Sequence, residues 1–174
     1  MKDTNWYVLF VMGGKEKQIC DFLNQECKVW KAFIPSIEII HTKQGKEHIV
    51  EKVMFPSYLF IESEMKQKEF QNKLKSAKQK KTGIIKELKF DEETPALRDY
   101  ERDYLEGLLN DQYKVIPSTG YIEHDKVMIT DGPLKGYESH ITRIDRHKKK
   151  AVLSLDLLHK EVNVTVSLEI IKKI

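Results

Sequence analysis

The period of the apolar positions changes several times along the chain. Trp6 to Met12 is an aromatic and β-branched run and predicts a buried strand. Gly13-Gly14 breaks it. Ile19, Phe22, Leu23 and Cys27 then fall at i, i+3, i+4 and i+8, the stripe of an amphipathic helix. Val29 to Ile34 returns to strand character and Pro35 ends it. Residues 37–53 predict a hairpin: two alternating segments around a K-Q-G-K turn. M-F-P-S-Y-L-F-I-E predicts another strand, with Pro56 marking a bend or an edge. In residues 65–79 Met65, Phe70, Leu74 and Ala77 share a helix face. Thr82 to Leu88 predicts the last strand of the unit. Strands mixed with two helices make this an α+β module, an antiparallel sheet with helices packed on it.

A further helix is expected over Leu97, Tyr104, Leu105, Leu108 and Leu109, with Thr94 as N-cap and Pro95 at its first position. A tether follows near Ile116 to Gly120. From residue 121 the period is that of strands. Five short ones are expected, in K-V-M-I-T, Y-E-S-H-I-T-R-I-D, K-K-A-V-L-S-L-D-L-L, K-E-V-N-V-T-V-S and L-E-I-I-K-K. Short strands, regularly punctuated, predict a small all-β barrel. Alternation points Val127, Ile129 and Ile141 inward, and Ile144 and Val152 are expected to point into the core and hold the basic run in place. The expected boundaries are 1–110, a linker at 111–120, and 121–174.

Charge sharpens this division. Residues 1–90 hold 17 Lys/Arg against 11 Asp/Glu, residues 91–118 hold 3 against 8, and residues 119–174 hold 10 against 8. An acidic connector between two basic ends fits two modules. Cys20 and Cys27 stand seven residues apart, about 10 Å along a helix, too far for a disulfide; free thiols and a reducing cytoplasm are expected. No apolar run approaches the ~20 residues of a membrane-spanning helix, and the first residues lack the pattern of a signal peptide. The chain is expected to be cytoplasmic, without a membrane partner, and monomeric.

Signals for catalysis are weak. His41, His48, His124, His140, His147 and His159 lack the spacing of a metal site, so no metal or other cofactor is expected. Gly13-Gly14 lacks the remainder of a phosphate-binding loop and reads as a tight turn. Neither cysteine has a sequence context that marks a nucleophile. The expectation is a protein that binds and does not catalyse.

Two motifs carry a resemblance. H-D-K-V-M-I-T-D-G-P-L-K-G-Y-E (His124 to Glu138) resembles the KOW motif of NusG-type transcription elongation factors. W-Y-V-L-F at the start and F-P-S-Y-L-F-I-E (Phe55 to Glu62) resemble the N-terminal domain of the same family, with Ser57 where a glycine is common. Order and layout match over nearly the whole chain. The run I-D-R-H-K-K-K-A-V (Ile144 to Val152), together with the shortness of the chain, makes it most similar to specialised LoaP-type antitermination paralogs. The resemblance implies an NGN-like α+β domain followed by an SH3-like KOW barrel.

It also implies roles. The first module is expected to dock on the RNA polymerase clamp through Tyr7, Phe55, Tyr58 and Phe60. The residues by themselves leave two readings open for Tyr58 and Phe60, core or exposed aromatic patch. The second module is expected to contact a structured RNA, a hairpin in the nascent leader transcript, through Lys135, Arg143, Arg146, His147, Lys148, Lys149 and Lys150. Like charges crowded on one turn are tolerated where a polyanion visits. The dense lysines of the second helix (Lys66, Lys68, Lys73, Lys75, Lys78, Lys80, Lys81) read either as a solvated face or as a contact with upstream DNA. The expected function is suppression of pausing or termination in chosen operons. A general NusG role with protein partners, and a ribosome-associated RNA-binding protein, are the alternatives.

Overall fold

The computed structural model describes residues 4–174 except Phe90, Glu93, Pro95, Ala96 and His159. Its elements in chain order are β1 (Asn5–Val11), α1 (Glu16–Glu26), β2 (Trp30–Phe33), β3 (Ser36–Lys43), β4 (Lys46–Val53), β5 (Tyr58–Ser63), α2 (Gln67–Lys80), β6 (Ile84–Leu88), α3 (Asp99–Leu108), β7 (Lys114–Val115), β8 (Ser118–Glu123), β9 (Lys126–Asp131), β10 (Ile141–Asp145), β11 (Lys150–Leu157) and β12 (Lys160–Lys173). They form two compact units, Met1–Pro35 with Phe55–Asp103, and Ser36–Met54 with Tyr104–Ile174. The boundaries expected above divide the chain by order. Packing divides it differently, and places the β3–β4 hairpin in the same unit as β8–β12.

The first unit is the expected antiparallel sheet with helices, in the order β2-β5-β1-β6. Alternation sends Tyr7, Leu9 and Val11 of β1 and Leu59 and Ile61 of β5 to one face. There they are buried with Ile19 and Leu23 of α1 and Phe70 and Leu74 of α2. Gly14 has φ +83° in the turn between β1 and α1, a value glycine adopts without Cβ strain. The turn reading of Gly13-Gly14 is therefore what the backbone shows.

The second unit is all-β apart from the end of α3 and a 3-10 turn at Glu138–His140. Its larger sheet runs β10-β11-β12-β8-β9, and its smaller one β4-β3-β7. Within the unit the Ile40 amide of β3 donates to the buried hydroxyl of Ser167 in β12 at 2.8 Å.

Four expectations are corrected. The last two expected strands are one, because β12 changes neighbours at Ser167: Lys160 to Ser167 pair with β11, and Leu168 to Lys173 pair in parallel with β8. The tether near residues 116–120 contains the start of β8, held by this parallel pairing. The acidic helix begins at Asp99, not after Thr94, whose amide is taken by Asp91 Oδ1 at 2.8 Å in a separate turn; Pro95 lies outside the described residues. Cys27 is not on the helix face, since α1 ends at Glu26 and Cys27 is extended with φ −139°. Both cysteines are free.

Candidate functional site

The basic run Arg143 to Lys150 forms the end of β10, a four-residue turn and the start of β11. Asp145 stands opposite Lys150 in the ladder, which leaves residues 146–149 to turn the chain. Asp145 Oδ1 accepts the Lys148 amide at 3.0 Å, and this hydrogen bond holds the Asp145 carboxyl below the ordinary aspartate value. Lys149 closes the turn with φ +55°. The one acid in the run thus ties the turn together. Arg146, His147 and Lys148 are exposed on it.

The register sorts the cations. Arg143 pairs with Val152, and Ile144 with Ala151. Ala151 is buried, so Ile144 lies on the inner face as expected, half-buried. Val152 is corrected: it shares the outer face with Arg143. Arg143, Lys148 and Lys150 line a shallow groove of about 260 Å³, with Val152 and Thr165 as its floor and Asp145 on its wall. Three cations around a hydroxyl and an aliphatic patch suit a phosphate with an adjoining sugar or base edge.

Lys149 differs from its neighbours. Its ammonium donates to Glu47 at the start of β4 and lies 3.3 Å from Glu169 of β12. The Glu47 hydrogen bond, then that of Glu169, raises the Lys149 pKa. Nothing in the sequence announces these partners, which lie 102 and 20 positions away.

Lys135 is exposed on the loop whose shape depends on Gly132. That glycine has φ +101°, and a Cβ there would stand 2.5 Å from Ser118 Oγ. The loop and the basic turn are linked through the sheet. The Leu134 amide donates to Ser118 Oγ at 3.1 Å, Ser118 is opposite Leu168, and the Leu168 amide donates to the Lys149 carbonyl at 3.0 Å.

The expected polymerase contacts separate. Phe55 and Phe60 are buried, their rings 5.7 Å apart, and Phe60 also packs on Trp6 and Phe33. Tyr7 is on the helix-covered face, stacked on Phe70 at 3.8 Å with its hydroxyl donating to the Met65 carbonyl; burial pushes its pKa up to about 12. An exposed patch made of all four is therefore absent. Tyr58 alone remains partly exposed, edge-on to the half-buried Phe10. Sequence reasoning missed Phe10, although β1 and β5 are antiparallel neighbours and Phe10 pairs with Tyr58.

Among the lysines of α2, Lys75 and Lys78 line a groove of about 500 Å³ with Lys86 and Glu87 of β6 and Lys89 just after it. Lys80 is bound to Glu26, and Lys89 to Glu92 at 2.9 Å. His41 and His48 face each other across the β3–β4 ladder. His159 lies outside the described residues.

Residues 4–105 match the family model described as "Transcription termination factor nusG". The chain is 26% identical over 171 residues to the transcription termination/antitermination protein NusG of Thermus thermophilus, covering 91% of this chain and 92% of that protein. It is 22% identical over 180 residues to the Bacillus subtilis protein of the same name, covering 99% of each. A solved structure concerned with domain interaction in Thermotoga maritima NusG superposes with a TM-score of 0.52 at 19% identity, covering 94% of this chain and 93% of that one, a likeness of fold.

Proposed function

The chain belongs to the NusG family of transcription termination/antitermination factors, and from that premise we propose that it rides on RNA polymerase as a specialised, LoaP-type antitermination factor. Its first unit docks on the clamp. Its second unit recruits it by gripping a structured hairpin in the nascent leader transcript. The observation that carries the RNA reading is the groove of Arg143, Lys148 and Lys150 beside the exposed Arg146 and His147. Only Asp145 opposes these charges within the run, and its oxygen is engaged by the turn. A phosphate track satisfies such a cluster, and a leader hairpin presents one with a defined shape.

The mechanism is redistribution of binding energy. A factor that binds the elongating state of the polymerase more tightly than the paused state shifts the population toward elongation by that difference. Docking rests on Tyr58 and Phe10, whose partial exposure on the sheet face opposite the helices supports them over Tyr7, Phe55 and Phe60. The lysines of the α2–β6 groove add a contact with upstream DNA that is blind to sequence. Localisation in the cytoplasm and action as a monomer complete the reading.

In vitro transcription through a terminator, with and without a candidate leader hairpin upstream, tests the function. Readthrough that requires both the hairpin and the protein supports it. Equal readthrough on both templates favours the general NusG role with protein partners. Full-length Arg143→Gln/Lys148→Gln/Lys150→Gln loses hairpin binding if the groove grips RNA, and retention of that binding refutes the site.

A further inference from the structure

The β3–β4 hairpin is sorted by charge. Gln44 and Gly45 both have positive φ, +53° and +74°, the two-residue turn whose twist matches the strands and fixes their register. That register sets Lys43 opposite Lys46, His41 opposite His48, Ile39 opposite Val50 and Ile37 opposite Lys52 on one face. The other face carries Glu38 opposite Glu51, Ile40 opposite Ile49 and Thr42 opposite Glu47. Alternation along eight-residue strands places Lys43, Lys46, Lys52, His41 and His48 together, with no acid among them.

The two faces have different fates. Two of the three acids of the second face are ion-paired within the unit: Glu51 with Lys114 at 2.8 Å and Glu47 with Lys149. The basic face has no such counterpart. All five of its basic residues are exposed, and among the described residues none makes an ion pair. Like charges directly opposite each other across a ladder destabilise it, and here Lys43 stands opposite Lys46 at the tip.

We propose that this basic face of the hairpin binds duplex DNA, seating its lysines on the phosphates without reading sequence. Charge complementarity names a polyanion. The composition of the face then selects among polyanions. It has no Tyr, Trp, Met or Arg, the residues that anchor protein interfaces, and no aromatic platform on which single-stranded bases stack. A two-stranded ribbon fits the major groove of B-DNA, whereas the major groove of A-form RNA is too deep and narrow for side chains to enter. Lys43 and Lys46 stand together at the tip, and Lys52 lies six residues from Lys46 along β4, about 20 Å at the rise of a strand, so the face spans several phosphates of one stretch of backbone. This site is distinct from the groove on β10–β11 and does not rest on the RNA reading.

The test uses the full-length chain and a labelled duplex of roughly 25 base pairs, in two unrelated sequences, titrated across ionic strength. Lys43→Gln/Lys46→Gln/Lys52→Gln is compared with Lys75→Gln/Lys78→Gln on α2 and with wild type, all checked for native circular dichroism. The proposal expects the hairpin variant to weaken binding about equally on both sequences. The slope of log affinity against log salt should fall by about 0.9 for each phosphate no longer neutralised, roughly 2–3 in all. An unchanged affinity and slope, with any weakening confined to the α2 variant, overturns it. So does an equal weakening on an RNA hairpin, and so does loss of polymerase association with DNA binding intact.

Discussion

Lys149 donates to Glu47 across 102 residues of sequence, and Glu169 closes on the same ammonium at 3.3 Å. One cation of the basic run is thus already answered by two carboxylates inside its own unit. RNA phosphate must compete with them for it. Glu47→Gln removes the stronger partner, and hairpin-RNA affinity of the full-length protein should rise roughly two- to fivefold, the scale of an exposed ion pair. Lys149→Gln should cost less affinity than Arg143→Gln or Lys150→Gln. Fluorescence anisotropy with one leader hairpin ranks all four; a drop from Lys149→Gln larger than from Arg143→Gln contradicts the geometry.

The carboxyl of Asp145 shapes the turn that presents Arg146 to Lys148. Its pKa is depressed by the Lys148 amide, then by the Lys148 charge. A group with a lowered folded pKa stabilises above its unfolded value, and that contribution is lost as pH falls through the folded value. The turn should therefore persist into acid below the ordinary aspartate pKa of about 3.9 and loosen only beneath it. The Lys148 amide shift, followed by NMR, should titrate with a midpoint under that value. A midpoint at or above it would show that the carboxylate does not hold the turn.

Burial separates docking from folding among the aromatic residues. Phe60 is fully buried, so Phe60→Ala should cost about 3–5 kcal/mol of stability. Tyr7→Phe removes a hydroxyl from the Met65 carbonyl, which keeps the Asn5 amide at 3.2 Å, so the cost should be only about 1 kcal/mol. Neither effect reports on polymerase directly. Tyr58→Ala, at a partly exposed site, should leave the thermal midpoint nearly unchanged and weaken association with RNA polymerase. Thermal melts beside co-purification separate the cases, and undiminished polymerase binding by Tyr58→Ala sinks the docking role of this residue.

What the sequence revealed depended on the range of the information. Local periodicity marked β1, α1, the β3–β4 hairpin, β5 and α2, because each is written in neighbouring residues. It failed where a strand is defined by its partner. Ser167 looks like a break, yet β12 runs through it by exchanging β11 for β8. Val152, expected inward as an apolar residue, alternates with Ser154 and Asp156 against the buried Ala151, Leu153, Leu155 and Leu157, and register sets it beside Arg143 on the outer face. The basic run was visible as composition. That Lys149 is tied to Glu47 while Arg143 and Lys150 share a groove depends on residues far apart in sequence, and no local pattern encodes it.

Ser57 offers a sharper case, because motif comparison and backbone geometry meet there. It occupies the position where the resembling motif commonly carries glycine, and it has φ +70°. Its amide donates to Glu16 Oε1 at 3.0 Å and its carbonyl accepts the Val11 amide at 2.8 Å, so the backbone is held in place from both sides. A residue with a Cβ in this conformation costs about 1–2 kcal/mol. Glycine removes that strain but widens the unfolded ensemble, which offsets about 0.4–1 kcal/mol of the gain. The difference favours glycine by up to about 1.6 kcal/mol, so Ser57→Gly should raise the thermal midpoint by up to roughly 6 °C. Ser57→Val, branched at Cβ, should lower it by more than that. Calorimetry on the two variants decides the matter: if Ser57→Gly melts below wild type, the hydroxyl over Gly13, 3.2 Å from where that residue's Cβ would lie, contributes more than the strain costs.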